Sequence, residues 1–257
     1  MNTVKVRNIV IGEGMPKICV PITGETKEAV LEEARAIRKL PVDVVEWRVD
    51  RFENVFDFAA LEDVLKTLHE ILEDTPILLT FRTSGEGGEK AAGDEFYVDI
   101  NLNAVRTGFV DMIDVELFKG DEIVRKLIRG AHAAGVRVVV SNHDFSKTPG
   151  KEEIIRRLCR MQALGADIPK IAVMPQKKMD VLTLLAATEE MAREHADRPF
   201  VAVSMAAEGT ISRIAGEVFG SAMTFGAAAK ASAPGQMDAE DLKQILMLLH
   251  ETLRQTR

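Results

Sequence analysis

Eight times along the chain a short, mostly apolar run is followed by a longer stretch whose apolar residues recur at three- and four-residue spacing. The runs are Lys17 to Ile22, Val44 to Trp47, Ile77 to Phe81, Met112 to Val115, Val136 to Ser141, Ile168 to Val173, Phe200 to Ser204 and Ala222 to Phe225. The helical patterns cover Lys27 to Lys39, Leu61 to Leu72, Phe96 to Thr107, Glu122 to Ala134, Glu152 to Leu164, Asp180 to Arg193, Ile211 to Phe219 and Ala239 to Leu253. A strand apolar on both faces must be covered on both, and a strand–helix–strand crossover leaves its strands parallel. The alternation therefore predicts an α/β fold with a parallel sheet inside and helices outside. Eight such units close into a (β/α)8 TIM barrel, read here as one domain spanning 1–257. A doubly wound sheet is the alternative, weakened because no glycine-rich phosphate fingerprint follows the first run. Ahead of the cadence, Val4 to Ile11 reads as two short strands around Arg7-Asn8, a small N-terminal β-hairpin expected to close the barrel bottom.

Charge and cysteine usage narrow the function classes. A net charge of −7 disfavours nucleic acid or an acidic membrane as partner, because both demand a basic footprint. An anionic small molecule remains open through locally clustered arginines. No run of about 18 apolar residues occurs, so no membrane span is expected. The two cysteines, Cys19 and Cys159, lack metal-ligand spacing and suggest a reducing compartment, hence the cytoplasm.

In a barrel of this type the working residues lie at the carboxyl ends of the strands. Those ends here read Glu46-Trp47-Arg48-Val49-Asp50, Phe81-Arg82, Asp114-Val115-Glu116, Asn142-His143-Asp144 and Ser204-Met205, with Lys170 inside the sixth run and Thr224-Phe225-Gly226 closing the eighth. Lys170 alone reads as a snorkelling strand-end lysine. Among these neighbours it reads instead as an amine in a dry pocket, where burial and the cations Arg48, Arg82 and Arg213 favour the neutral nucleophile. The same arginines suit a carboxylate. His143 suits proton transfer. A metal held by His143 with Glu46, Glu86 or Glu116 is the competing use, but no HExxH-like spacing supports it, and a metal is not expected. Glu86 lies in Glu86-Gly87-Gly88-Glu89, within a loop-like stretch from Gly85 to Gly93, where an acid is ordinarily solvated. The stretch Ala231 to Gln236 is the candidate lid.

Taken together, Glu46-Trp47-Arg48-Val49-Asp50, Phe81-Arg82-Thr83 with Glu86-Gly87-Gly88, Ser141-Asn142-His143-Asp144-Phe145, Lys147-Thr148-Pro149, Lys170-Ile171-Ala172-Val173-Met174-Pro175, Gly209 with Ile211-Ser212-Arg213, Phe219-Gly220-Ser221 and Ala231-Ser232-Ala233-Pro234-Gly235-Gln236 resemble the type I 3-dehydroquinate dehydratases of the shikimate pathway. The resemblance covers nearly the whole chain. It implies a (β/α)8 barrel, a homodimer, and dehydration of 3-dehydroquinate to 3-dehydroshikimate without metal or organic cofactor. It assigns Lys170 as the Schiff-base lysine, His143 as general base and acid, and Glu86 as the acid close to that histidine. Glu46, Arg48, Arg82, Arg213, Ser232 and Gln236 would hold substrate, Arg213 being the carboxylate partner, with Met205 and Phe225 walling the pocket. Two positions depart from the usual pattern. Val203 precedes Ser204-Met205 where members often carry methionine, and Pro21 stands where some place a serine. A class I Schiff-base aldolase and a silent sugar-acid binding protein on the same fold remain as alternatives.

Overall fold

The computed structural model describes residues 2–228 and 235–255. Two short antiparallel strands come first, β1 (Val4–Val6) and β2 (Ile9–Ile11), turning through Arg7 at φ 47°. The alternation then gives β3 (Lys17–Ile22), α1 (Lys27–Ile37), β4 (Val44–Arg48), α2 (Phe58–Leu72), β5 (Ile77–Thr80), α3 (Asp94–Thr107), β6 (Met112–Glu116), α4 (Asp121–Ala133), β7 (Arg137–Asp144), α5 (Lys151–Leu164), β8 (Ile168–Val173), α6 (Lys178–Glu190), β9 (Val201–Ser204), α7 (Thr210–Ile214), α8 (Gly216–Phe219), β10 (Met223–Phe225) and α9 (Ala239–Gln255). All eight barrel strands pair in parallel, in the order β10-β3-β4-β5-β6-β7-β8-β9. The ring closes between β9 and β10 through a parallel bridge from Phe200 to Ser221 and a Ser221 Oγ that accepts the Ala202 amide at 3.1 Å. This is the (β/α)8 barrel that the cadence predicts.

The two-residue period of the strands explains why their apolar runs are interrupted where they are. Outward residues such as Val45, Trp47, Leu79, Phe81, Ile113, Val115, Val140 and Ile171 pack under the helices in one large core. Inward residues Val44, Leu78, Met112, Val139, Ile168 and Val201 form a second cluster with Val4, Val6 and Ile11, so the hairpin plugs the amino-terminal end. Two residues further along β4 to β8 the inward positions turn polar, at Glu46, Thr80, Asp114, Ser141 and Lys170, while Val203 on β9 stays apolar. The barrel interior is thus an apolar floor beneath a polar layer.

The lower rim is tied together by a repeated device. Asp43, Asp111 and Asp167 each stand one residue before β4, β6 and β8, and each accepts the amide of a neighbouring strand, Ile18, Ile77 and Val138, at 2.8 Å. Arg7 of the hairpin turn donates to Asp111 at 2.6 Å, locking the plug to this rim.

Several boundaries depart from the sequence pattern. The helix expected over Ile211 to Phe219 is broken at Ala215 into α7 and α8, and Gly216 just after the break packs so closely on Pro16 and the Ser221 carbonyl that no side chain fits there. Helix α2 begins at Phe58, where Asp57 caps it by accepting from Ala59 and Ala60. Helix α6 ends in a wider turn over Met191–His195. Strand β7 runs three residues beyond its expected end, since His143 and Asp144 stay in register with Ala172 and Val173 of β8.

Candidate active site

The polar layer opens upward into a cavity of about 700 Å³ including its mouth, lined among others by Glu46, Arg48, Arg82, Glu86, His143, Lys170, Met205, Arg213, Phe225 and Gln236. Every described residue expected at the site therefore meets there. Ser232, and most of the proposed lid with it, lies outside the described residues.

Lys170 is buried, only 5% exposed, which excludes the solvated-face reading. Its Nζ lies 3.3 Å from Asp114 Oδ2, 3.8 Å from Glu46 Oε1 and 4.4 Å from the centre of the Phe225 ring. The charged groups against the amine are thus carboxylates. This corrects the expectation that arginines surround it: register across β4, β6 and β8 points Glu46 and Asp114 inward at its level, while Arg82 reaches it only through Asp114.

Arg82 occupies the centre of a buried network. Its Nη2 donates to Asp114 Oδ1 at 2.7 Å, and its Nη1 to Glu116 Oε1 at 3.1 Å and Ser141 Oγ at 3.0 Å. These carboxylates raise its basicity against the cost of burial. Arg48 grips Asp50 with both ends of its fork, at 2.8 and 2.9 Å. Asp50 also takes the amides of Arg82 and Glu89, so donors hold its carboxyl below the usual range despite burial.

Glu86 is not the solvated loop acid that its sequence setting suggests. A short turn over Ser84–Glu86 buries it to 7% exposure, and Gly88 behind it has no room for a Cβ because the Arg82 carbonyl occupies that space. Glu86 Oε2 accepts the His143 amide at 2.8 Å and lies 3.0 Å from His143 Nδ1, while Oε1 takes Asn142 Nδ2 at 3.3 Å. Burial pushes the Glu86 carboxyl up to about 7, opposed by Arg82 at 3.7 Å. Burial, with Arg82, Lys170 and Arg48, drives His143 well below its ordinary value. The imidazole is therefore neutral near pH 7. Nδ1 lies against Glu86, and an ionised Glu86 accepting from Nδ1–H is the arrangement that makes Nε2 the basic nitrogen.

Arg213, on α7, is buried in the cavity wall, and burial lowers its guanidinium to about 10, still cationic at neutral pH. Met205, Phe225, Val203 and Ala172 supply the apolar side of the cavity. Pro21 lies on β3 in register with Glu46. Among the described residues, no group of three or more His, Cys, Asp or Glu is arranged to hold a metal ion.

Sequence reasoning passed over Asp50, Asp114, Ser141, Asn142 and Phe145 as site residues, although all but Phe145 are buried polar groups of the network. The signal available was the inward period: Asp114 and Ser141 each follow an inward apolar residue by two positions.

The comparisons agree with this geometry. A model of the family described as type I 3-dehydroquinase matches residues 18–253. The chain is 58% identical over 251 residues to a 3-dehydroquinate dehydratase of Listeria monocytogenes, covering 98% of this chain and 99% of that one. It is 53% identical over 250 residues to that of Clostridioides difficile, covering 97% and 98%. A crystal structure of the type I enzyme from Clostridium difficile with covalently modified comenic acid superposes with a TM-score of 0.96 at 52% identity, covering 98% of this chain and 99% of that one. One from Geobacillus kaustophilus gives 0.94 at 37% identity, covering 97% of each. With a family match across nearly its whole length and these residues gathered at one barrel mouth, the chain belongs to the type I 3-dehydroquinases, the 3-dehydroquinate dehydratases of the shikimate pathway.

Proposed function

We propose that the enzyme removes water from 3-dehydroquinate through a Schiff base on Lys170, giving 3-dehydroshikimate by syn elimination. The observation that carries this reading is the pairing, in one cavity, of a buried amine with a neutral imidazole oriented by a carboxylate. Attack of the amine on the ketone forms a carbinolamine, which takes up the proton shed by the lysine ammonium and loses water to give an iminium. That cation acidifies the adjacent C–H, whose proton passes to His143 Nε2. His143 then returns the proton to the departing hydroxyl, which leaves as water, and a second water hydrolyses the new iminium to free Lys170. Glu86 fixes the tautomer that makes Nε2 the base.

Arg213 is the carboxylate partner, with Arg48, Glu46, Gln236 and Ser232 completing the grip. Arg82 is engaged with Asp114, Glu116 and Ser141, so its part is mainly to supply positive charge above the polar layer. Met205 and Phe225 wall the ring's apolar side. No step requires a metal or organic cofactor. The chain acts as one domain in the cytoplasm and as a homodimer. The dimer is supported by exposed apolar side chains on two touching helices, Met179 and Leu182 of α6 and Val218 of α8. Sedimentation velocity showing only monomer would contradict it.

Incubation with 3-dehydroquinate should produce the conjugated enone of 3-dehydroshikimate, read by ultraviolet absorbance and product analysis, at a rate unchanged by a strong chelator. Carbon–carbon cleavage products would favour the aldolase, tight binding without turnover would favour a silent binder, and loss of activity restored by zinc or magnesium would overturn the metal-free route.

A further inference from the structure

Asp114 has no part in the mechanism above, yet it is the carboxylate nearest the Lys170 amine, at 3.3 Å. It is 1% exposed and does not line the cavity, so it meets the nitrogen from the side away from substrate. Its Oδ1 takes two donors, Arg82 Nη2 at 2.7 Å and Ser141 Oγ at 2.6 Å, which leaves Oδ2 directed at Nζ. Glu46 stands further off at 3.8 Å, accepts from Thr80 Oγ1 and faces the cavity. The charged side chains facing Asp114 are therefore Lys170 from β8 and Arg82 beyond β5, with Glu116 and Glu86 on the far side of Arg82.

We propose that Asp114 is a catalytic residue whose carboxylate keeps the nitrogen of the Lys170 Schiff base protonated through the elimination. This rests on the Schiff-base reading and adds a role to it. Starting from the ammonium form, amine plus ketone gives iminium plus water, so one positive charge stands on the nitrogen before and after. A fixed anion beside that atom holds the charge there. The charge is what the chemistry needs: the electron pair of the breaking C–H bond flows into C=N⁺–H to give a neutral enamine, and flows back as the hydroxyl departs with the proton from His143. A neutral imine accepts that pair far less readily. In water an imine nitrogen exchanges its proton freely, whereas in this dry layer a preorganised carboxylate sets its state.

The test uses cyanoborohydride, which reduces an iminium in preference to a neutral imine, on the full-length enzyme with 3-dehydroquinate. Wild type should give an adduct yield nearly flat from about pH 6 to about pH 9, while Asp114→Asn should lose yield with rising pH, approaching tenfold per unit once the nitrogen deprotonates. Its kcat should fall by roughly 100-fold or more. Asp114→Glu, which retains the charge, should keep the flat profile even if kcat drops. A flat profile in Asp114→Asn, with or without lost turnover, would overturn the proposal in favour of a structural carboxylate. So would a falling profile in Asp114→Glu, which also decides the matter if the asparagine variant does not fold. Wild type forming no adduct at any pH would instead count against the Schiff base itself.

Discussion

At Glu86 and His143 two titrations run in opposite directions, and each has a sign that can be measured. The Glu86 carboxyl goes from an ordinary value of 4.5 to about 7 on folding, so between those values the folded state holds a proton that the unfolded state has lost. Its contribution to stability is therefore full below pH 4.5 and lost as pH rises toward 7, about 3 kcal/mol in all at 1.36 kcal/mol per unit. His143 is the reverse. Its value falls on folding, so the stability it lends is full above 6.5 and lost as pH drops below that. Urea unfolding of wild type and Glu86→Gln across pH isolates the first effect, because the fixed cost of the substitution is the same at every pH. The difference should move toward the variant by about 3 kcal/mol between about pH 5 and about pH 8. An unchanging difference would mean that Glu86 does not ionise in that range. At this scale Lys170 and His143 were legible only together with the ionisable groups at the neighbouring strand ends and the motifs around them. Asp114 was not, because its importance comes from which residue on β8 it faces, and that register is set by pairing across β6, β7 and β8.

The elements divide their labour between the two ends of the barrel. At the amino-terminal rim, Asp111 accepts from Ile77 of β5 and from Arg7 of the hairpin, far from the polar layer. Asp111→Ala should lower unfolding free energy by about 1 to 2 kcal/mol, since it removes the acceptor of the Ile77 amide and the carboxylate partner of Arg7, which keeps the Glu73 carbonyl and His69, while leaving kcat within about twofold. At the opposite end, the turn carrying Glu86 depends on Gly88, where any Cβ would overlap the Arg82 carbonyl. Gly88→Ala should displace that turn and with it Glu86, and kcat should fall at least about tenfold even where the barrel remains folded by circular dichroism. If the two substitutions had similar effects on turnover, the separation of stability from chemistry along the strands would be wrong. The sequence pattern located all eight strands and the helices between them within a few residues. It missed the break between α7 and α8, beside which Gly216 lies against Pro16, a contact across some two hundred residues of chain that no local pattern encodes.

Across the whole molecule, one periodicity places both the core and the chemistry. Strands buried on both faces point apolar residues outward to the helices and inward to the hairpin plug. Two residues later the inward register turns polar and meets, at one mouth, a lysine, a histidine, three arginines and their carboxylates. What remained hidden in the sequence was the charge around the amine. Strand-end counting places both cations and carboxylates around the mouth and favours the arginines as neighbours of Lys170, whereas the closed ring sets Asp114 and Glu46 against it. The proposed chemistry depends on Lys170 as the nucleophile. The most direct measurement is borohydride reduction of the enzyme turning over 3-dehydroquinate, followed by peptide mass analysis. A reduced adduct on the peptide carrying Lys170, absent in a folded Lys170→Ala variant that no longer turns over, is the predicted result. An unmodified Lys170 peptide, or turnover that survives in the alanine variant, would contradict it.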